Sequence, residues 1–128
     1  MVQEQKVQEQ KILGRGFIEE TFWVVGHLIN IEEHLFESGL VDQASLIRSE
    51  RKRYVDEWVK ALGLREDLVN RDWCIYKHAL ALMVHLQETA VSDEAVDNVD
   101  FLAETARLYN AVKNFTLHLV DYHRSRHE

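Results

Sequence analysis

Proline is absent from all 128 residues of the chain. Within a helix a proline removes a backbone hydrogen bond and clashes with the preceding turn. A chain without it can build long, uninterrupted helices, and glycine is left to do the punctuating. Gly14 and Gly16 precede the first apolar-periodic segment, and Gly39 and Gly63 follow the first and second, where C-terminal glycines belong.

Apolar residues recurring at i, i+3, i+4 and i+7 predict four helices. The first spans Phe17–Ser38, with Gly16 as N-cap and Phe22, Val25, Leu28 and Ile29 in its stripe. The second spans Asp42–Leu62, around Ile47, Tyr54 and Trp58. The third spans Asn70–Val91 and is apolar over more than half its circumference, the pattern of a central helix or of one in a subunit interface. The fourth starts after Ser92, a good N-cap, and extends to about Arg126, with Phe101, Leu108, Val112, Phe115 and Leu119 facing inward. Its length suggests an end that projects beyond its neighbours. No segment alternates as a strand does. The fold class expected is all-α, a four-helix up-down-up-down bundle with a long C-terminal helix. Residues 17–128 are read as the single domain, and residues 1–16 as a polar tail or helical extension in which VQEQK is written twice.

The net charge is −7. Nucleic-acid binders carry a basic face that displaces counterions from phosphates, and here Arg48, Arg51, Lys52 and Arg53 spread around their helix rather than lining it, so nucleic acid is not expected as a partner. The one cysteine, Cys74, excludes an internal disulfide and suits a reducing, cytoplasmic setting. No run approaches the ~20 apolar residues of a membrane span, so no membrane partner is expected.

Polar residues on apolar stripes mark the candidate ligand pocket: Glu32 in the first helix, Arg51 in the second and His123 in the fourth. Glu32 and Arg51 come to similar heights in a helical hairpin. A buried charge is tolerable chiefly when paired, so the two are expected as an ion pair that fixes register, or as the polar wall of a pocket. Off-stripe aromatics point instead to a partner. Trp23, Trp73, Leu80 and Val84 are the interface candidates, since exposed tryptophan is enriched at interfaces. Trp58, Tyr76, Phe101 and Phe115 are read as core.

No phosphate loop, nucleophile elbow or dinucleotide fingerprint is present, and no catalytic residue is assigned. Seven histidines invite a metal reading. The Glu-x-x-His pairs of carboxylate-bridged di-iron bundles are missing, because no histidine has an acidic residue three positions before it. Cys74 and His78 are one turn apart and could ligate zinc, but His85 is ~10 Å further along, too far to join them. His123 and His127 repeat the one-turn spacing.

The stretch FWVVGHLINIEEHL, Phe22 to Leu35, taken with His123-x-x-x-His127, resembles DinB-like metal-binding bundles over a small part of the chain. Those pair a mid-bundle histidine with His-x-x-x-His on the last helix. The resemblance implies His27, His123 and His127 as ligands of a divalent metal. It departs from that pattern in placing the first histidine on the first helix, with no full helix before it. Arg71 and His78 are similar to the arginine–histidine pair of HEPN-type helical ribonucleases, but the acidic balance opposes RNA binding.

These readings favour a non-catalytic, homo-oligomeric interaction or accessory protein, a dimer first and with a further protein partner as an option, and with no cofactor. The alternative is a bundle that binds a metal or small ligand, enzyme or not, through histidines in or beside its core.

Overall fold

A computed structural model describes residues 14–124. Its regular elements are helices, packed together, six in number among the described residues: α1 Arg15–Glu37, α2 Val41–Leu62, α3 Glu66–Arg71, α4 Trp73–Ala90, α5 Asp93–Val96 and α6 Val99–His123. Among those residues no helix is long and apolar enough to cross a membrane. The VQEQK repeat and His127 lie outside the described residues.

The glycine stops act as expected. Gly39 and Gly63 adopt φ of 79° and 67°, a left-handed conformation that costs a Cβ-bearing residue energy. Each lets the chain turn back so that the next amide reaches the helix end: Leu40 N–H donates to Leu35 O and Leu64 N–H to Val59 O, both at 2.9 Å. The start of α1 falls two residues earlier than expected. Gly14 is the N-cap, and Gly16 is inside the helix.

Two of the expected helices are interrupted. Asp72, at φ −104° and ψ 16°, separates the short α3 from α4, so the third helix does not run unbroken from Asn70. Ser92 caps as predicted, its Oγ accepting Ala95 N–H, but the helix it starts lasts one turn. The chain restarts at Asn98, whose Oδ1 accepts Phe101 N–H at 3.1 Å. The end of α6 does not project. Its last carbonyl, His123 O, accepts Arg65 N–H at 2.7 Å, and Arg124 Nε donates to Leu62 O at 3.2 Å. That end is tied down at the α2–α3 corner.

The core joins α1, α2, α4 and the inner face of α6. Phe22, Val25 and Ile29 of α1 meet Trp58 of α2, Tyr76, Leu80 and Met83 of α4, and Val120 of α6. The aromatic rings are set edge to face, Phe22 on Trp58 and Trp58 on Tyr76, the arrangement their quadrupoles prefer. The Trp58 indole N–H donates to Thr21 Oγ1 at 2.7 Å, and that hydroxyl donates to Ile18 O. Phe101 and Phe115, expected in this core, lie about half exposed on the outer side of α6. The inward positions of α6 are taken by Thr105, Thr116, Leu117, Val120 and His123.

α1 and α4 touch through Gly26. A Cβ there would stand 2.6 Å from Leu80 O and 2.8 Å from a Val84 methyl. Leu80 and Val84 are therefore enclosed within one chain and are not surface available to a partner. Gly26→Ala must push the two helices apart. It should cost about 1–3 kcal/mol in thermal or urea denaturation. Gly16→Ala, in open space, should leave stability unchanged or raise it by up to about 1 kcal/mol.

Candidate functional site

Two polar constellations stand out: one joins Asp72 to His123, which the sequence did not connect, and the other is the expected Glu32–Arg51 pair.

The first closes the α3–α4 break. Asp72 sits at the junction. Arg71 next to it donates from Nε to Oδ1 at 3.0 Å and from Nη2 to Oδ2 at 2.8 Å. On the other side His123 Nε2 lies 2.8 Å from Asp72 Oδ2, and His123 Nδ1 lies 2.7 Å from the Tyr76 hydroxyl. An ionised carboxylate can only accept, so His123 Nε2 carries a proton and donates it to Asp72, while Nδ1 is hydrogen-bonded to the Tyr76 hydroxyl. The Arg71 hydrogen bonds hold the Asp72 carboxyl at about 2, below its ordinary 3.8, and His123 adds to the effect while partial burial opposes it. Burial, helped by the Asp72 charge, pushes the Tyr76 phenol well above its ordinary 10.0. Arg71 is correspondingly raised by Asp72.

In this Asp–His–Tyr chain Tyr76 and His123 are wholly buried, and the chain joins α6 to α4. His123 is thus not a pocket residue, and both of its ring nitrogens are committed. Arg71 and His78 lie on different helices, either side of Asp72.

The second constellation is the Glu32–Arg51 pair. Arg51 Nε donates to Glu32 Oε2 at 3.0 Å, with the arginine side chain 6% and the glutamate 19% exposed. The guanidinium also lies over the Trp73 ring, 5.4 Å from its centroid, a favourable cation–π placement. The pair divides two clefts. Arg51 forms part of one of about 510 Å³, with Val55, Val59, Val69 and Trp73 as apolar wall and Lys52, Asp56, Lys60, Glu66 and Asn70 around them. Glu32 lines another of about 410 Å³ beside Arg48 and Lys77.

The tryptophans flagged for a partner are only half exposed and pack on the core. Trp73 belongs to the Arg51 cleft. Trp23 leans on Tyr109 and His27 and borders a small groove with Leu86 and Ala90. The metal candidates do not converge. Cys74 and His78 are exposed on α4, His27 is exposed on α1, and no group of three His, Cys, Asp or Glu side chains able to hold an ion occurs among the described residues.

What the sequence reading missed is a continuous outer stripe. Phe101, Leu108, Phe115 and Tyr122 recur every seven residues on α6 and are 47%, 39%, 49% and 65% exposed. Ile75 and Leu82 repeat the spacing on α4, the helix that packs on α6, and are exposed too. The heptad period was present in the sequence. It was hidden because the same residues also fit an inward stripe. No family model matches the chain, and neither a curated protein nor a solved structure matches it.

The Asp72 chain predicts a pH profile. The lowered folded-state value means that stability from Asp72 is fully present above pH 3.8 and is lost as pH falls through about 2. Asp72→Asn should flatten that acid limb in denaturation midpoints measured between pH 2 and 5. At the alkaline end the sign reverses. Tyr76, raised by burial, contributes stability below its unfolded value of 10.0 that declines as pH rises past it. Tyr76→Phe should remove that decline, and at pH 7 it should cost about 1–3 kcal/mol by leaving His123 Nδ1 buried without a hydrogen-bond partner.

Proposed function

We propose that this chain is a non-catalytic helical interaction protein that works as a homodimer, two copies pairing antiparallel along α6. The observation that carries the reading is the exposed heptad stripe of Phe101, Leu108, Phe115 and Tyr122. Contiguous apolar patches beyond a few hundred Å² are uncommon on monomers and mark interaction surfaces. α1 has a shorter exposed series at the same spacing, Phe17, Val24 and Ile31. The α6 series is longer, contains three aromatic rings and belongs to a helix packed on α4, where Ile75 and Leu82 are exposed at the same spacing.

The occupant proposed is a second copy. Phenylalanine and tyrosine side chains offer ~150–250 Å² each, so the stripe with Ile75 and Leu82 leaves roughly 600 Å² per copy open. Two copies facing one another would cover about 1,200 Å², the lower edge of specific, stable pairs. The stripe is also self-complementary about its midpoint. A two-fold axis near Ala111 sets Leu108 against Phe115 and Phe101 against Tyr122, and brings Glu104 of one copy alongside His118 of the other. Self-complementary patches are what a two-fold dimer requires. The same proposal takes the four long helices to alternate up and down, as short connections favour. No catalytic residue is assigned: Tyr76 and His123 are buried, and Asp72 is engaged by both Arg71 and His123.

Sedimentation equilibrium tests this reading. The wild-type chain should be dimeric at ~100 μM, the range in which a micromolar association saturates. Phe115→Glu should weaken pairing by about 100-fold or more, as loss of a central interface anchor does, with little change in thermal midpoint because Phe115 is half exposed. A wild-type monomer at that concentration, or a Phe115→Glu chain that pairs as tightly as the wild type, would overturn the proposal.

A further inference from the structure

We infer that the cleft between α2 and the α3–α4 corner is a binding site for a small organic carboxylate with an apolar body, held by the terminal amino groups of Arg51. The site is separate from the α6 stripe, and the inference does not rest on dimerisation.

The argument starts from what Arg51 leaves unused. A guanidinium carries five N–H donors in a planar fork. Only Nε is engaged, on Glu32, and no other hydrogen bond from this side chain occurs among the described residues. Yet Arg51 is 5% exposed. Its Nη groups are not sealed, the buried side-chain polar atom without a partner among the described residues being Asn30 Oδ1, so their free donors reach the open side. The open side is the cleft of about 510 Å³. The side chain is also fixed before any ligand arrives, by Glu32 at its Nε and by the Trp73 ring on its flat side. A planar fork so fixed suits the two oxygens of a carboxylate.

The rest of the cleft sets the ligand's body and charge. Val55, Val59, Val69 and Trp73 supply an apolar wall, and the volume lies within the ~300–1,000 Å³ usual for small-molecule sites. Lys52 and Lys60 bring positive charge to the lining, and Asp56 and Glu66 offset it. With Glu32 already neutralising Arg51, the site as a whole is close to neutral. It suits one negative charge better than the two of a phosphate monoester. An apolar chain or ring on the valines and Trp73, ending in a carboxylate at Arg51, satisfies both halves.

The experiment is a titration of the full ¹⁵N-labelled chain with 4-phenylbutyrate, followed by the indole N–H signals of the tryptophans. The expected result is a saturable shift of the Trp73 indole with a dissociation constant below ~1 mM, while the Trp23 indole, in a different groove, does not move. The corresponding alcohol, 4-phenylbutanol, should bind at least about tenfold more weakly. Arg51→Lys keeps the charge and loses the fork, so it should weaken binding at least about tenfold. Since Arg51 is buried, two exposed positions guard against a folding artefact: Lys52→Glu should weaken binding and Asp56→Lys should strengthen it. Equal binding of the alcohol, a shift confined to Trp23, no saturation by ~10 mM, or insensitivity to all three substitutions would overturn the inference. So would tighter binding of phenyl phosphate, which would make the site one for phosphate esters.

Discussion

The hydrogen bond from His123 to Asp72 sets much of the rest of the molecule. Asp72 sits where α3 stops and α4 starts, so its carboxylate is the point at which three helices can be joined. His123 arrives from the end of α6 and carries the connection on to Tyr76 in the core. With His123 inward, the rotation of α6 about its own axis is fixed. Tyr122 and Phe115 each precede an inward residue, His123 and Thr116, by one position, a step of ~100° around the helix. They are carried out of the core. The inner face of α6 mixes Leu117 and Val120 with polar residues, and on it Thr105 and Thr116 donate their hydroxyls to Phe101 O and Val112 O.

This also explains which parts of the molecule were legible in the sequence. Helix existence followed from periodicity, the missing prolines and the glycines at 39 and 63, because these act locally. The Glu32–Arg51 pair was legible too, since two charges at matching heights on two apolar stripes leave few alternatives. The rotation of α6 was not. Phe101 and Phe115 fit an inward stripe as well as an outer one, and only a contact more than forty positions away in sequence, Asp72 with His123, decides between them. The interruption at Asp72 was missed for the same reason. Nothing local distinguishes an aspartate that ends a helix from one on a solvated face, until the arginine before it and a histidine from α6 are brought together. Trp73 looked like a partner contact because it lies off its helix's stripe. In the folded chain that position faces a buried guanidinium.

The two surfaces proposed for function differ in kind. The α6 stripe is apolar, extended and flat, which suits another helix. The Arg51 cleft is concave, half polar and pre-set, which suits a small molecule. The α3–α4 corner bears on both. It supplies Val69, Asn70 and Trp73 to the cleft, and through Asp72 it fixes the face that α6 turns outward. Gly26 complements it at the other side of α4, where the absence of a side chain lets α1 lie against the Leu80 carbonyl.

The most direct test of this account is the distance between two copies across α6. A spin label at Asn114→Cys, in a chain with Cys74→Ser, sits beside the stripe without belonging to it. Packed helices lie about 8–10 Å apart axis to axis, so antiparallel pairing centred near Ala111 predicts a label-to-label distance below about 30 Å by pulsed electron–electron resonance. A separation beyond the ~37 Å length of α6, or no dipolar coupling between copies, would contradict the outward stripe as the surface on which two chains meet.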